Sequence, residues 1–336
     1  MSKGSKREYV SAPVARRVLM AACCALVALG IVELGLRASA SRLSGNVAHI
    51  RDFDRLLADA GKSPGVRVVF VGNSLIGNAI APATFQQAAR DAGRVENPVK
   101  LVPDGTGIWD WRCIASNHLP AAAAGDRVVI GFAWDQLSDQ LPLAVSKTFG
   151  LICPLGEIAQ IRNFHPVGIG DVIEAGFSRL SLAYTLRERL RNGSLDRFVP
   201  DYQEQSRALN SDGVRGAQQA HGAPRAAPAH TYAALTDLVQ QLRAKGYRPA
   251  FVAMPTVAGY ELDPQIARTL QAQGAEFFDM RSVPTLTAEH FIDPIHLGQQ
   301  GAELFTRTFA SGLEHAPARS AADAQPTPIQ QALAKP

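Results

Sequence analysis

Val66-Arg67-Val68-Val69-Phe70-Val71 runs into Gly72-Asn73-Ser74, and no other segment constrains the architecture as tightly. A β-branched run of this length suits a strand covered on both faces, because both alternating sets of side chains then enter a core. Gly72 permits a tight turn after it, and Pro82 opens a helix expected to reach Ala92, since the first turn tolerates proline. Outward from there, Arg127–Phe132 repeats the buried-strand pattern, and shorter strands are expected at Val99–Val102, Pro249–Met254 and Glu276–Asp279. Helices are expected at Trp109–Leu119, Val172–Arg191, His230–Lys245, Pro264–Gln273 and Gly298–Leu313. Strands alternating with helices predict an α/β domain on a doubly wound, mostly parallel five-stranded sheet.

The 336 residues divide unevenly around that domain. Residues 1–17 carry Lys3, Lys6, Arg7, Arg16 and Arg17 against Glu8, and residues 18–36 form an apolar run broken only by Glu33. Its length is close to the roughly 20 residues a membrane-spanning helix needs. The basic head keeps the N-terminus in the cytoplasm by the positive-inside rule and exports everything after the span. A bacterial inner-membrane protein with one pass and a periplasmic domain is therefore expected. The alternative is a cleaved signal, for which Ala38-Ser39-Ala40 would be the cleavage site. Glu33 lies near the outer end of the run, where solvation at the interface is the expected role. Residues 37–64 read as a linker with an amphipathic helix over Gly45–Ala60, and 65–313 as the main domain. Within it, 193–228 is a polar flexible insertion, and 314–336 is expected to be a disordered tail. The net charge of +4 comes largely from the basic head, and no basic stripe interleaved with aromatics points to nucleic acid. Cys23 and Cys24 sit in the apolar run; Cys113 and Cys153 fit either a disulfide in an oxidising compartment or two buried thiols.

Open α/β sheets bind ligands beyond the carboxyl ends of their strands. That rule selects Gly72-Asn73-Ser74-Leu75, Asp104-Gly105-Thr106-Gly107 and Ala133-Trp134-Asp135, with Asp293-Pro294-Ile295-His296 positioned to fold back over the same edge. A serine hydroxyl becomes a useful nucleophile when a neighbouring base takes its proton, and imidazole does so near neutral pH. An aspartate three residues before a histidine can fix the ring tautomer and stabilise the imidazolium. Ser74, His296 and Asp293 supply these residue types; read by themselves, Ser74 also fits a common Gly-x-Ser turn and Asp293 a cap of the final helix. Backbone N–H groups at Ser74, Gly105 and Gly107 are candidate oxyanion donors, and Asn73, Asn78, Trp134 and Asp135 are candidate lining residues. Trp109 and Trp111 read as core or surface aromatics before sugar platforms.

Val69-Phe70-Val71-Gly72-Asn73-Ser74-Leu75 resembles the first motif of the SGNH/GDSL hydrolase superfamily, with Asn73 where Asp is commoner, and Asp293-Pro294-Ile295-His296 resembles its closing Asp-x-x-His motif. The resemblance covers about residues 65–312. It implies a flavodoxin-like three-layer fold, a Ser74 nucleophile, a His296 base and an orienting Asp293. Where the family has Gly-x-Asn-Asp, this chain has Gly131-Phe132-Ala133-Trp134-Asp135, so an oxyanion donor is missing. Loss of one such donor typically costs about 10²–10³ in rate. Divergent membrane-anchored members, among them periplasmic acetyltransferases of alginate-like polysaccharides, are similar in this respect. The resemblance implies an O-acyl, most simply acetyl, esterase or transferase, and the expected extracytoplasmic, tethered location points to an envelope or secreted polysaccharide as its substrate. A membrane-embedded acyl-donor protein is a candidate partner, and no metal or organic cofactor is expected. The alternatives are a lipid or small-ester hydrolase, and a non-catalytic protein that binds glycan or a membrane partner.

Overall fold

The computed structural model describes residues 12–202, 205 and 230–314. The expected disordered tail, most of the 193–228 insertion and most of the basic head lie outside the described residues. Five strands form one sheet: β1 (Val66–Val71), β2 (Glu96–Leu101), β3 (Arg127–Phe132), β4 (Arg248–Ala253) and β5 (Glu276–Asp279). Their order is β2-β1-β3-β4-β5 and every pairing is parallel, so "mostly parallel" becomes wholly parallel. The chain leaves β1 toward one edge and resumes at β3 toward the other, which puts a switch point between β1 and β3.

The unbroken apolar run of β1 is explained by its two covered faces. Val69 and Val71 enter one core with Ile130, Phe132 and Phe251, while Val68 and Phe70 enter the other with Val129, Ala250 and Val252. On the second face lie three helices: α4 (Ser74–Ala79), α5 (Pro82–Asp91) and a terminal helix over Gln299–Glu314. Phe70 meets the Phe85 ring edge-on at 5.2 Å there, and Phe305 and Phe309 are buried with them. On the first face lie α3 (Phe53–Lys62), α6 (Ile108–Asn117) and helices over Ala233–Ala244 and Pro264–Ala272. Trp109 and Trp111 are both buried in that core, and their indole N–H groups donate to Leu141 O and Thr106 Oγ1.

The N-terminal helix α1 spans Ala12–Leu43, and over Arg16–Leu43 it is long and apolar enough to cross a membrane. It continues through Ala38–Ala40 without a break, and Ala40 is buried against Val47, Leu182 and Leu186. The expected linker helix is two pieces, α2 (Gly45–Arg51) and α3, which meet at Asp52. The expected helix over Val172–Arg191 is three, Ile169–Leu180, Leu182–Thr185 and Arg187–Phe198. Glu33 corrects the expectation of simple interfacial solvation: its carboxylate accepts from Leu182 N (2.7 Å), Ala183 N (3.3 Å) and Ser181 Oγ (3.1 Å), and pairs with Arg37 at 2.6 Å. The start of the short helix at Leu182 supplies otherwise unpaired N–H groups, which suit an anion.

Cys113 and Cys153 form a disulfide with Cα atoms 5.4 Å apart. It ties α6 to the end of the Thr148–Ile152 turn of π-helix. Asp139 fixes the far end of the same irregular stretch by accepting from Ala233 N and Ala234 N, both at 2.9 Å.

Candidate active site

Ser74 is the first residue of α4, immediately beyond β1. Two neighbours hold it there. An added Cβ on Gly72 would lie 2.4 Å from Ile76 Cγ2 and 2.9 Å from Gly131 O, so only glycine lets this turn approach β3 so closely. Asn73 is buried; its Oδ1 caps α4 by accepting from Leu75 N at 3.0 Å, and its Nδ2 donates to Thr106 O at 3.0 Å. Asn73 is therefore a scaffold residue under the site, not the lining residue expected. Thr106 Oγ1 lies 2.8 Å from Gly72 O and accepts from Trp111 Nε1, so the turns after β1 and β2 are bound together through buried groups.

His296 arrives from the opposite end of the chain. Its loop is closed by a Phe291–Leu297 antiparallel bridge, by Ile292 N donating to His296 O (2.9 Å) and by Val257 N donating to Pro294 O (3.0 Å). The terminal helix after this loop is clamped to α4: Thr306, fully buried, donates to Ala79 O and accepts from Ala81 N, each at 3.0 Å. This geometry brings the three candidate catalytic residues together. His296 Nε2 is 2.8 Å from Ser74 Oγ, and His296 Nδ1 is 2.7 Å from Asp293 Oδ2. Asp293 Oδ1 accepts from Ile295 N (2.9 Å) and His296 N (2.8 Å), which aims the carboxylate at the ring. Partial burial works to raise the Asp293 pKa, but the hydrogen bonds from the His296 ring and from both backbone N–H groups outweigh it and hold the pKa below the usual value. The carboxylate stays ionised and able to stabilise an imidazolium.

The oxyanion side differs from expectation. Gly107 is buried and its N–H donates to Asp110 Oδ2 at 3.2 Å, so it is corrected from a donor to a structural turn residue. Asp110 itself is buried, which raises its pKa, and Thr148 Oγ1 donates to it at 2.7 Å. Gly105 holds a turn at φ +60°, and its carbonyl accepts from the Lys147 ammonium. Ser74 N belongs to the first turn of α4, where no carbonyl within the helix can receive it.

Asn78 is exposed four residues after Ser74, on the same helical face. Trp134 is half-buried with φ +51°, an uncommon conformation for a bulky residue and one often held at functional sites. Its ring lies 5.5 Å from that of Tyr260, whose hydroxyl pKa is raised chiefly by burial. Arg281 stacks over Tyr260 at 5.5 Å and is held by Asp279 at the end of β5. Trp134, Tyr260, Phe291 and Ile295 pack against the core that holds Leu75 and Leu297, beside Ser74 and His296 in the chain. Asp135 is exposed, with no hydrogen bond to Ser74, His296 or Asp293. The sequence reading missed Tyr260, Arg281 and Thr306; Tyr260 comes after the carboxyl end of β4, so the strand-end rule already pointed there. Among the described residues no cluster of three or more His, Cys, Asp or Glu is arranged to hold a metal ion. No protein-family model matches this chain, and no curated protein matches it.

Proposed function

We propose that this protein is a serine-dependent O-acyl esterase or transferase of the SGNH type, acting on an acylated envelope or secreted polysaccharide. The observation that carries the proposal is the continuous hydrogen-bonded relay Ser74–His296–Asp293 at the carboxyl edge of the sheet. Ser74 Oγ attacks the ester carbonyl carbon as its proton passes to His296 Nε2, and the carbonyl electron pair moves onto oxygen. Collapse of the adduct restores the carbonyl and expels the alcohol oxygen, which takes the proton from His296. Water or a sugar hydroxyl then attacks the acyl-serine by the same route in reverse, so hydrolysis and transfer share one intermediate. Asp293 stays ionised throughout and stabilises the imidazolium.

The exported location belongs to the same proposal. The basic residues before the apolar run at 18–36 favour a cytoplasmic N-terminus, and the Cys113–Cys153 disulfide is of the kind found in oxidising compartments. A tethered extracytoplasmic domain meets polysaccharide more readily than a cytosolic ester. The second proposal is a non-catalytic glycan-binding protein, favoured by the absence of an asparagine in Ala133-Trp134-Asp135 and by the commitment of the Gly107 N–H to Asp110. Hydrolysis of acetylated oligosaccharide and of 4-nitrophenyl acetate by wild type and Ser74→Ala separates the two. Activity lost in the variant supports the acyl-serine route; equal activity in both removes it.

A further inference from the structure

The helix α7 (Ile169–Leu180) is amphipathic in the inverted sense. A domain helix normally turns its large apolar residues inward. The residues α7 buries are the small Ala175 and Ser178, whereas Ile169 (77% exposed), Ile173 (54%), Phe177 (58%) and Leu180 (75%) face outward. Their spacings of four, four and three residues place them in one stripe. Single exposed aliphatics are ordinary, but a contiguous stripe of four marks a contact surface.

Its place in the fold says what covers it. Arg37 Nη2 donates to Leu180 O at 2.8 Å, and Leu182 N donates to Glu33 at 2.7 Å. Glu33 and Leu36 close the apolar run of α1 and lie about 4.5 Å apart along its axis. The C-terminal end of α7 is therefore pinned at the level where a spanning α1 passes from hydrocarbon to headgroups. Beside it, Arg37, Arg51 and Arg179 line a cavity of about 320 Å³, and the Glu33 carboxylate pairs with Arg37. Three guanidinium groups against one carboxylate favour anionic headgroups. Tyr184, of an aromatic type enriched at membrane interfaces, pairs with Phe177 at 6.3 Å.

We propose that α7 is a second membrane element: an interfacial helix that lays Ile169, Ile173, Phe177 and Leu180 into the outer leaflet, with the arginine-lined cavity at the headgroups. It fixes the orientation of the whole α/β domain on the bilayer, where a lone spanning helix would leave it free to swivel. The proposal rests on α1 crossing the membrane and is independent of the chemistry at Ser74.

The test uses the full chain in vesicles of phosphatidylcholine and phosphatidylglycerol, with the Cys113–Cys153 disulfide intact. An environment-sensitive fluorophore is placed at Cys23 in a Cys24→Ala background. In a Cys23→Ala/Cys24→Ala background it is placed at Ile173→Cys, at Phe177→Cys, and at Gln271→Cys as an exposed control. Nitroxide lipids labelled at the headgroup or deep in the acyl chain then report depth. Deep quenching at Cys23, with shallow quenching at 173 and 177 at least about twofold above that at 271, is the expected result. Quenching at 173 and 177 no greater than at 271, with Cys23 still quenched, overturns the interfacial helix and leaves the anchor. A blue-shifted but unquenched label at those sites also overturns it, in favour of protein contact. An unquenched Cys23 overturns the anchor and the interfacial helix together.

Discussion

Replacing Thr306 by valine removes one hydroxyl and almost no volume, from a site that joins the serine-bearing and histidine-bearing ends of the chain. Thr306 is fully buried, and its hydroxyl is the partner of both Ala79 O and Ala81 N. Ala79 is the last residue of α4, so its carbonyl has no donor within that helix. Stripping a partner from a buried polar group costs about 1–3 kcal/mol. Ala81 is half-buried and recovers part of its loss from water, which sets the expected destabilisation at about 2–4 kcal/mol. Urea unfolding of the full chain in nonionic micelles measures it, with an unchanged m-value expected because the fold is the same. Thr306→Ser keeps the hydroxyl and should recover most of the loss. A Thr306→Val midpoint equal to wild type, or a Thr306→Ser protein as unstable as Thr306→Val, would refute the clamp.

Three more outcomes are expected from the structure. Cys113→Ser/Cys153→Ser opens a loop with a sequence separation of 40 and should lower stability by up to about 4 kcal/mol on chain-entropy grounds; equal melts of wild type with and without reductant would contradict this. Burial, and after it the Lys100 ammonium, hold the His49 imidazole below its usual pKa while its Nε2 accepts from Val102 N. The folded state thus binds fewer protons than the unfolded one, so this stabilisation is full above about pH 6.5 and is lost as pH falls through the lower folded value. Unfolding measured from pH 8 to 5 should show a slope that His49→Gln flattens; the same slope in both proteins would exclude His49 as its source. Gly72→Ala should cost about 1–3 kcal/mol and disturb Ser74, because the added Cβ meets Ile76 and Gly131 O, whereas Gly45→Ala meets nothing within 4 Å. Equal melting of the two variants would falsify the close-approach account.

The central strands were legible because burial on both faces writes itself as a continuous apolar run, and Arg127–Phe132 has the expected bounds; Glu276–Asp279, an edge strand that is only partly buried, was legible from the helix-glycine-strand alternation around it. The order β2-β1-β3-β4-β5 was not, since a strand's neighbours are chosen by long-range packing that periodicity does not encode. The second strand begins at Glu96, three residues before the expected start, because Asn97 and Pro98 break the apolar pattern at a sheet edge. At the site, Ser74, Asp293 and His296 could be named from two short motifs that resemble those of a known family, with the position of Ser74 after β1 in agreement. The roles of Asn73, Gly107 and Thr306 could not, because each depends on a partner distant in sequence or on which donor is already occupied. The stretch from 135 to 190 was the least legible. Its chain is broken into several helices, and the one that begins at Leu182 is capped both locally by Ser181 and by Glu33, 149 residues earlier, which accepts the Leu182 N–H.

Activation of Ser74 by His296, as proposed, can be read directly from its reactivity. The most direct measurement exposes the full chain to a fluorophosphonate and locates the adduct by peptide mass spectrometry. A single adduct on Ser74 is expected, absent in Ser74→Ala and formed about 10²–10⁴ times more slowly in His296→Ala. A folded wild-type chain that takes no label, or one labelled at the same rate with and without His296, would contradict it.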